Sequence, residues 1–186
     1  TSTGAFSTTG DVNLAANITT SDANLTIGGN LVVAEAATPT LSTGAAGAGH
    51  IVVTGTTNGT AGGAAESLTV LAGTGNVTFT GNVGNNVDAL ELEALTVTSA
   101  ATTLFSGNIE LANALTQSAG SVATTFNGTV NVGSAALTGT AFNLNNSFAS
   151  GGTTVFTNSG VLTKNAGTNI TSTGAFSTTG DVNLAA

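Results

Sequence analysis

The chain of 186 residues has no cysteine, methionine, tryptophan, tyrosine or arginine, and only one lysine (Lys164), one histidine (His50) and one proline (Pro39). Each absence removes a class of chemistry. Without cysteine there is no disulfide framework and no thiolate to bind zinc or act as a nucleophile. Without arginine, and with a single lysine, there is no P-loop and no bidentate clamp for phosphate. Nine acids against one base give a formal charge of -8, which excludes a nucleic-acid surface, since that needs clustered Lys and Arg. Long apolar runs are missing too, although the mean hydropathy is +0.35. The stretch Leu31 to Ala37 is interrupted by Glu35 and is far too short to span a bilayer as a helix. No basic segment followed by an apolar one opens the sequence, so any secretion signal is expected to lie outside these residues.

What remains is Thr, Ala, Gly, Asn, Ser, Val and Leu, a palette of strands and turns. Residues 1–16 and 171–186 are identical, both reading TSTGAFSTTGDVNLAA at an offset of 170. Independent drift does not leave sixteen of sixteen positions unchanged. The expectation is therefore one full tandem unit over 1–170 and the start of the next over 171–186, cut from a longer array. A designed or recombined duplication is the alternative.

A finer period lies inside the long one. A glycine, a small polar residue and alternating apolar positions recur at Gly10, Gly29, Gly49, Gly75, Gly107, Gly128 and Gly180, with several steps near twenty. Pairs such as Val12 with Leu14, Val77 with Phe79 and Val130 with Val132 alternate with polar residues, the period of a half-buried strand. Gly, Asn and Asp suit the turns between them. Helices are poorly supported. Short strands, frequent turns and a step of roughly 20–22 residues predict an all-β parallel solenoid, or β-helix, with about eight coils per unit. Its core column is expected to contain Val12, Leu14, Val77, Phe79, Phe105, Ile109, Phe126, Val130 and Phe176, with the seven glycines at the turns. Tandem β-sandwich modules are the alternative, disfavoured by the absence of Trp and Tyr and by the close spacing of turn signals.

The phrase Thr102-Thr103-Leu104-Phe105-Ser106-Gly107-Asn108-Ile109 returns, one residue shorter, as Thr124-Thr125-Phe126-Asn127-Gly128-Thr129-Val130. This pattern resembles the β-strand repeats of giant secreted bacterial surface proteins, the filamentous-haemagglutinin-like adhesins and autotransporter passengers. The resemblance covers about two thirds of the chain and implies a right-handed parallel β-helix at the cell surface, used as a stalk, adhesin or fibre. The identity of the two ends departs from a typical adhesin shaft and points to a periodic fibre.

Candidate sites are few. His50 follows Gly49 where other units carry Asn, which makes it a turn residue; no second His or Cys completes a metal or catalytic site. Asp88, Glu91, Glu93 and Glu110 are the one concentration of acid and a weak calcium candidate, with a solvated acidic face the favoured reading because the G-G-x-G-x-D repeat is absent. Glu91 and Glu93, side by side on one strand face, do not oppose a bond across a cleft as a glycosidase pair does. Asn-x-Thr/Ser at Asn17, Asn24, Asn58, Asn76, Asn127, Asn145 and Asn169 is expected from composition and marks at most surface sugar. Thr78/Thr80 and Thr96/Thr98 fit an ice-binding pattern without a recurrence in register. No cofactor, metal, nucleic acid or enzymatic activity is expected. The expected partners are further copies of the repeat, end to end and laterally, in an extracellular filament. The alternative function is an adhesin shaft or passenger that engages host or neighbouring-cell glycans.

Overall fold

A computed structural model describes residues 1–60, 65–84 and 92–185. Every strand pairing in it is parallel, and the chain winds as a β-solenoid of about eight turns, with no helix among the described residues. The uniformly parallel pairing excludes the β-sandwich alternative, whose sheets are antiparallel.

Each coil contributes one paired segment to each of three faces, and in the middle coils a single strand, such as Ala94–Phe105, Ile109–Gln117 or Val130–Gly139, bends across a corner to serve two of them. Face I stacks Phe6, Leu25, Ile51, Val77, Thr103, Thr124, Phe142, Leu162 and Val182 in register. Face II stacks Val12, Leu31, Thr57, Val83, Ile109, Val130, Phe148 and Ile170. Face III stacks Ile18, Leu41, Val70, Val97, Gln117, Leu137, Phe156 and Thr178. The reason is the alternation in the sequence. Three-residue strands such as Leu25–Ile27, Leu31–Val33, Ile51–Val53 and Val77–Phe79 bury their outer two side chains and leave the middle one at the surface. A strand this short cannot hold itself, so each is fixed by the rungs above and below.

Coil lengths on face I run 19, 26, 26, 26, 21, 18, 20 and 20 residues, wider than the expected 20–22 around a mean of 22. In the second coil the extra residues sit in the corners, at 34–39 and 43–50, outside the strands. There the chain turns with Ala36 at φ 57° and Gly44 at φ 104°. Gly73 is required twice over: its φ is 58°, and a Cβ there would collide with the backbone of Gly44 and Gly47 one coil below.

The core is one continuous cluster of buried Leu, Ile, Val and Phe that runs the length of the stack. Phe79, Phe105 and Phe126 stack nearly parallel at ring separations of 5.5 and 5.2 Å. The line of rings continues edge-on through Phe148 and Phe156, and ends at Phe176. Offset stacking of this kind adds about 0.5–1.5 kcal/mol per pair beyond the area buried.

Candidate functional site

The residues singled out from sequence are brought together as architecture. Val77 lies in one inward column of face I, and Phe79, Phe105 and Phe126 in the other; Val12, Ile109 and Val130 share face II with Leu14. All are inward-facing, but they form several columns rather than one. Phe176 differs again: it belongs to face III and is 44% exposed.

The turn glycines also divide. Gly10, Gly29, Gly107 and Gly128 line the corner between faces I and II, together with Gly55 and Gly81, each stacked on the one before. Gly49, Gly75 and Gly180 line the corner that enters face I. Gly55 and Gly81 escape the sequence pattern because apolar alternation does not follow them. Their steps of 26 from Gly29 to Gly107 were the available signal.

Side-chain ladders run along these corners. Asp11 Oδ1 accepts from the Asn30 backbone N–H at 2.7 Å, Asn30 Oδ1 from Thr56 at 2.9 Å, Asn82 Oδ1 from Asn108 at 3.0 Å and Asn108 Oδ1 from Thr129 at 3.0 Å. On the other corner Asn24 Oδ1 accepts from the His50 N–H, and His50 Nδ1 accepts from the Asn76 N–H, both at 2.9 Å. His50 is therefore a rung in an asparagine ladder, with Asn24 and Asn76 as its neighbours; Asn30 and Asn108 belong to the other corner. A third ladder joins the side-chain amides of Asn127, Asn145 and Asn165 at 2.7 and 2.8 Å. Several Asn-x-Thr/Ser asparagines thus link coils. Each such bond contributes about 0.5–1.5 kcal/mol.

Of the four acids weighed as a calcium site, only Glu93 and Glu110 fall among the described residues. Asp88 and Glu91 lie outside the described residues. Glu93 is met one coil on by Asn113, whose Nδ2 donates to Glu93 Oε2 at 3.0 Å, whereas Glu110 sits on an outward position of face II. Among the described residues no group of three or more His, Cys, Asp or Glu could hold a metal ion. Lys164 occupies an inward register position between Leu144 and Leu184. Its Nζ turns to the corner and donates to the carbonyls of Thr168 at 2.9 Å, Asn165 at 3.2 Å and Ala185 at 3.3 Å. The aliphatic stem stays in the stack while the charge reaches polar groups.

The remaining features are the two ends. At the N-terminal end Phe6–Thr8 pairs only with Leu25–Ile27, and Val12–Leu14 only with Leu31–Val33. At the C-terminal end Ile170–Ser172, Phe176–Thr178 and Asp181–Leu184 each pair only with the strand beneath. Here Phe176, Val182 and Leu184 are among the few exposed large apolar side chains. With Ile170 and the Lys164 stem they line an open depression of about 520 Å³, the uncovered top of the core. Both ends present strand edges, a template for further pairing. No helix among the described residues is long and apolar enough to cross a membrane. Compared against protein-family models, curated proteins and solved structures, the chain matches none.

Proposed function

We propose that the chain is a structural segment of an extracellular, cell-surface filament, in which 170-residue units continue one solenoid and free ends associate end to end. The observation that carries this reading is the repeat: the sixteen residues of 1–16 return at 171–186, and the second copy is laid in register on the coil beneath as a further turn of the same parallel ladder. The function follows from mechanics. A backbone ladder runs along the axis, the corner ladders reinforce it, and the column of apolar side chains gives each coil a dry seat on the next. The likeness of the Thr-Thr-Phe-Gly phrases to secreted adhesins supports a surface location.

Six phenylalanines are fully buried in the core. A glycan-binding passenger would instead use aromatic rings at its surface, so the filament is the reading the geometry supports best. Sedimentation velocity and electron microscopy of the 186-residue chain across a concentration series test it. Assemblies one solenoid wide that lengthen with concentration are expected; a chain that stays monomeric at high concentration contradicts self-association.

A further inference from the structure

We propose that the C-terminal end is the seat of a following copy of residues 17–42, and that this copy lies one face round from its first position, so that a tandem unit takes seven and two-thirds turns. The proposal rests on the tandem reading above.

One sequence is held in two places. In the first copy Ser2 bridges to Thr20 on face III, Phe6–Thr8 lies on face I and Val12–Leu14 on face II. In the second copy Ser172 lies on face II, Phe176–Thr178 on face III and Asp181–Leu184 on face I. All three segments have moved back by one face. The faces accept one another's strands because each asks only for apolar residues at its inward positions; Phe142, Phe148 and Phe156 fill inward sites on faces I, II and III respectively. From Phe6 on face I to Phe176 on face III the chain makes seven turns and two further faces.

The two copies also show opposite sides of the same segment. In the first, Leu25 stacks on Phe6, Leu31 on Val12, Val33 on Leu14 and Leu41 on Ile18. In the second, Thr154 and Phe156 lie beneath Phe176 and Thr178, and Leu162 and Lys164 beneath Val182 and Leu184. Leu14, covered by the coil that follows, is 3% exposed, whereas the identical Leu184 without that cover is 61% exposed. The first copy thus specifies what belongs on Leu184 and Phe176. In an array, three units of 170 residues return to the starting face after 23 turns, about 110 Å of fibre at the spacing of paired strands. Each surface column is then shown on all three sides in turn, and no side of the fibre is unlike the others.

Absence of native cysteine makes cross-linking a clean test on the chain lengthened by a second copy of residues 17–42. Aligned residues on adjacent strands lie within the Cα separation a disulfide spans. Ser177→Cys paired with Thr26→Cys in the appended copy is expected to close at a dilution where closure is independent of concentration. Asn183→Cys with the same partner is expected to stay open. Preferred closure at 183 overturns the proposal, as does closure at neither site while the internal pair Val155→Cys with Ser177→Cys still forms. Hydrogen exchange gives a second readout. Amides of 176–184 are expected to exchange roughly tenfold or more slowly than in a chain whose appended Leu25, Leu31 and Leu41 are serine; equal rates overturn the proposal. A lengthened chain that closes the first pair yet never associates with another molecule upholds the junction and contradicts self-assembly, so the two claims fail separately.

Discussion

Thr103 and Thr124 sit on successive rungs of the same inward column of face I, both almost fully buried, and the same hydroxyl has opposite effects in the two places. Thr124 Oγ1 donates to Gln117 Oε1 at 2.7 Å, and Gln117 Nε2 donates to the Thr138 carbonyl at 3.1 Å, so a polar path crosses the core with its partners in place. Thr103 Oγ1 has no hydrogen-bond partner among the described residues. A buried polar group costs stability when unpaired and contributes when paired. Thr103→Val is therefore expected to stabilise the chain by about 1 kcal/mol, whereas Thr124→Val strands the Gln117 amide and costs about 1–3 kcal/mol. Denaturant midpoints at an unchanged m-value measure both. At the corner, His50→Asn should preserve the ladder and leave stability within about 0.5 kcal/mol, while His50→Ala loses about 0.5–1.5 kcal/mol. A larger loss in the asparagine variant would show that the imidazole does more than carry the rung.

At the scale of the strand, stability comes from stacking between coils rather than from any strand alone. Phe105 lies between the rings of Phe79 and Phe126, so Phe105→Ala opens a cavity and removes two ring contacts, with an expected cost of about 3–5 kcal/mol. A double-mutant cycle with Phe126→Ala should return a coupling of about 0.5–1.5 kcal/mol; strict additivity would mean that the rings merely share the core. Strand identity was legible because the apolar alternation at Val12, Leu25, Val77 and Val130 survives without context. Phase was not. Gly49 and Gly75 follow the same local grammar as Gly29 and Gly107 but stand at another corner, and a pattern of short strands cannot tell one corner of three from the next. Corner segments such as 34–39 and 43–50 lengthen coils without leaving a period. Gln117 was invisible for a different reason, since a polar residue at an inward position reads as a surface one until its partners are seen.

For the whole molecule, the identical ends were legible as a repeat of 170, but not as a repeat out of step with the faces; that mismatch follows from a mean coil of 22, which does not divide 170. In the proposed assembly the end-to-end contact falls on Phe176 and Leu184. Phe176→Asp with Leu184→Asp places charge on an exposed apolar seat, and such charges are how sheet edges avoid pairing. The double variant is expected to abolish concentration-dependent assembly while costing the single chain only the edge contact of Phe176 with Phe156, because both side chains are largely exposed there. Assembly undiminished by both charges would place the contact elsewhere. The claim that these coils stack into a continuous filament is tested most directly by mass per unit length in the scanning transmission electron microscope, on filaments grown from the chain of 17.7 kDa. Solenoids joined end to end predict one chain for every 40 Å or so of each protofilament, about eight rungs of paired strands. One chain for every rung, about 4.8 Å, would mean that the chains stack flat as a misfolded cross-β fibril, and would contradict the account.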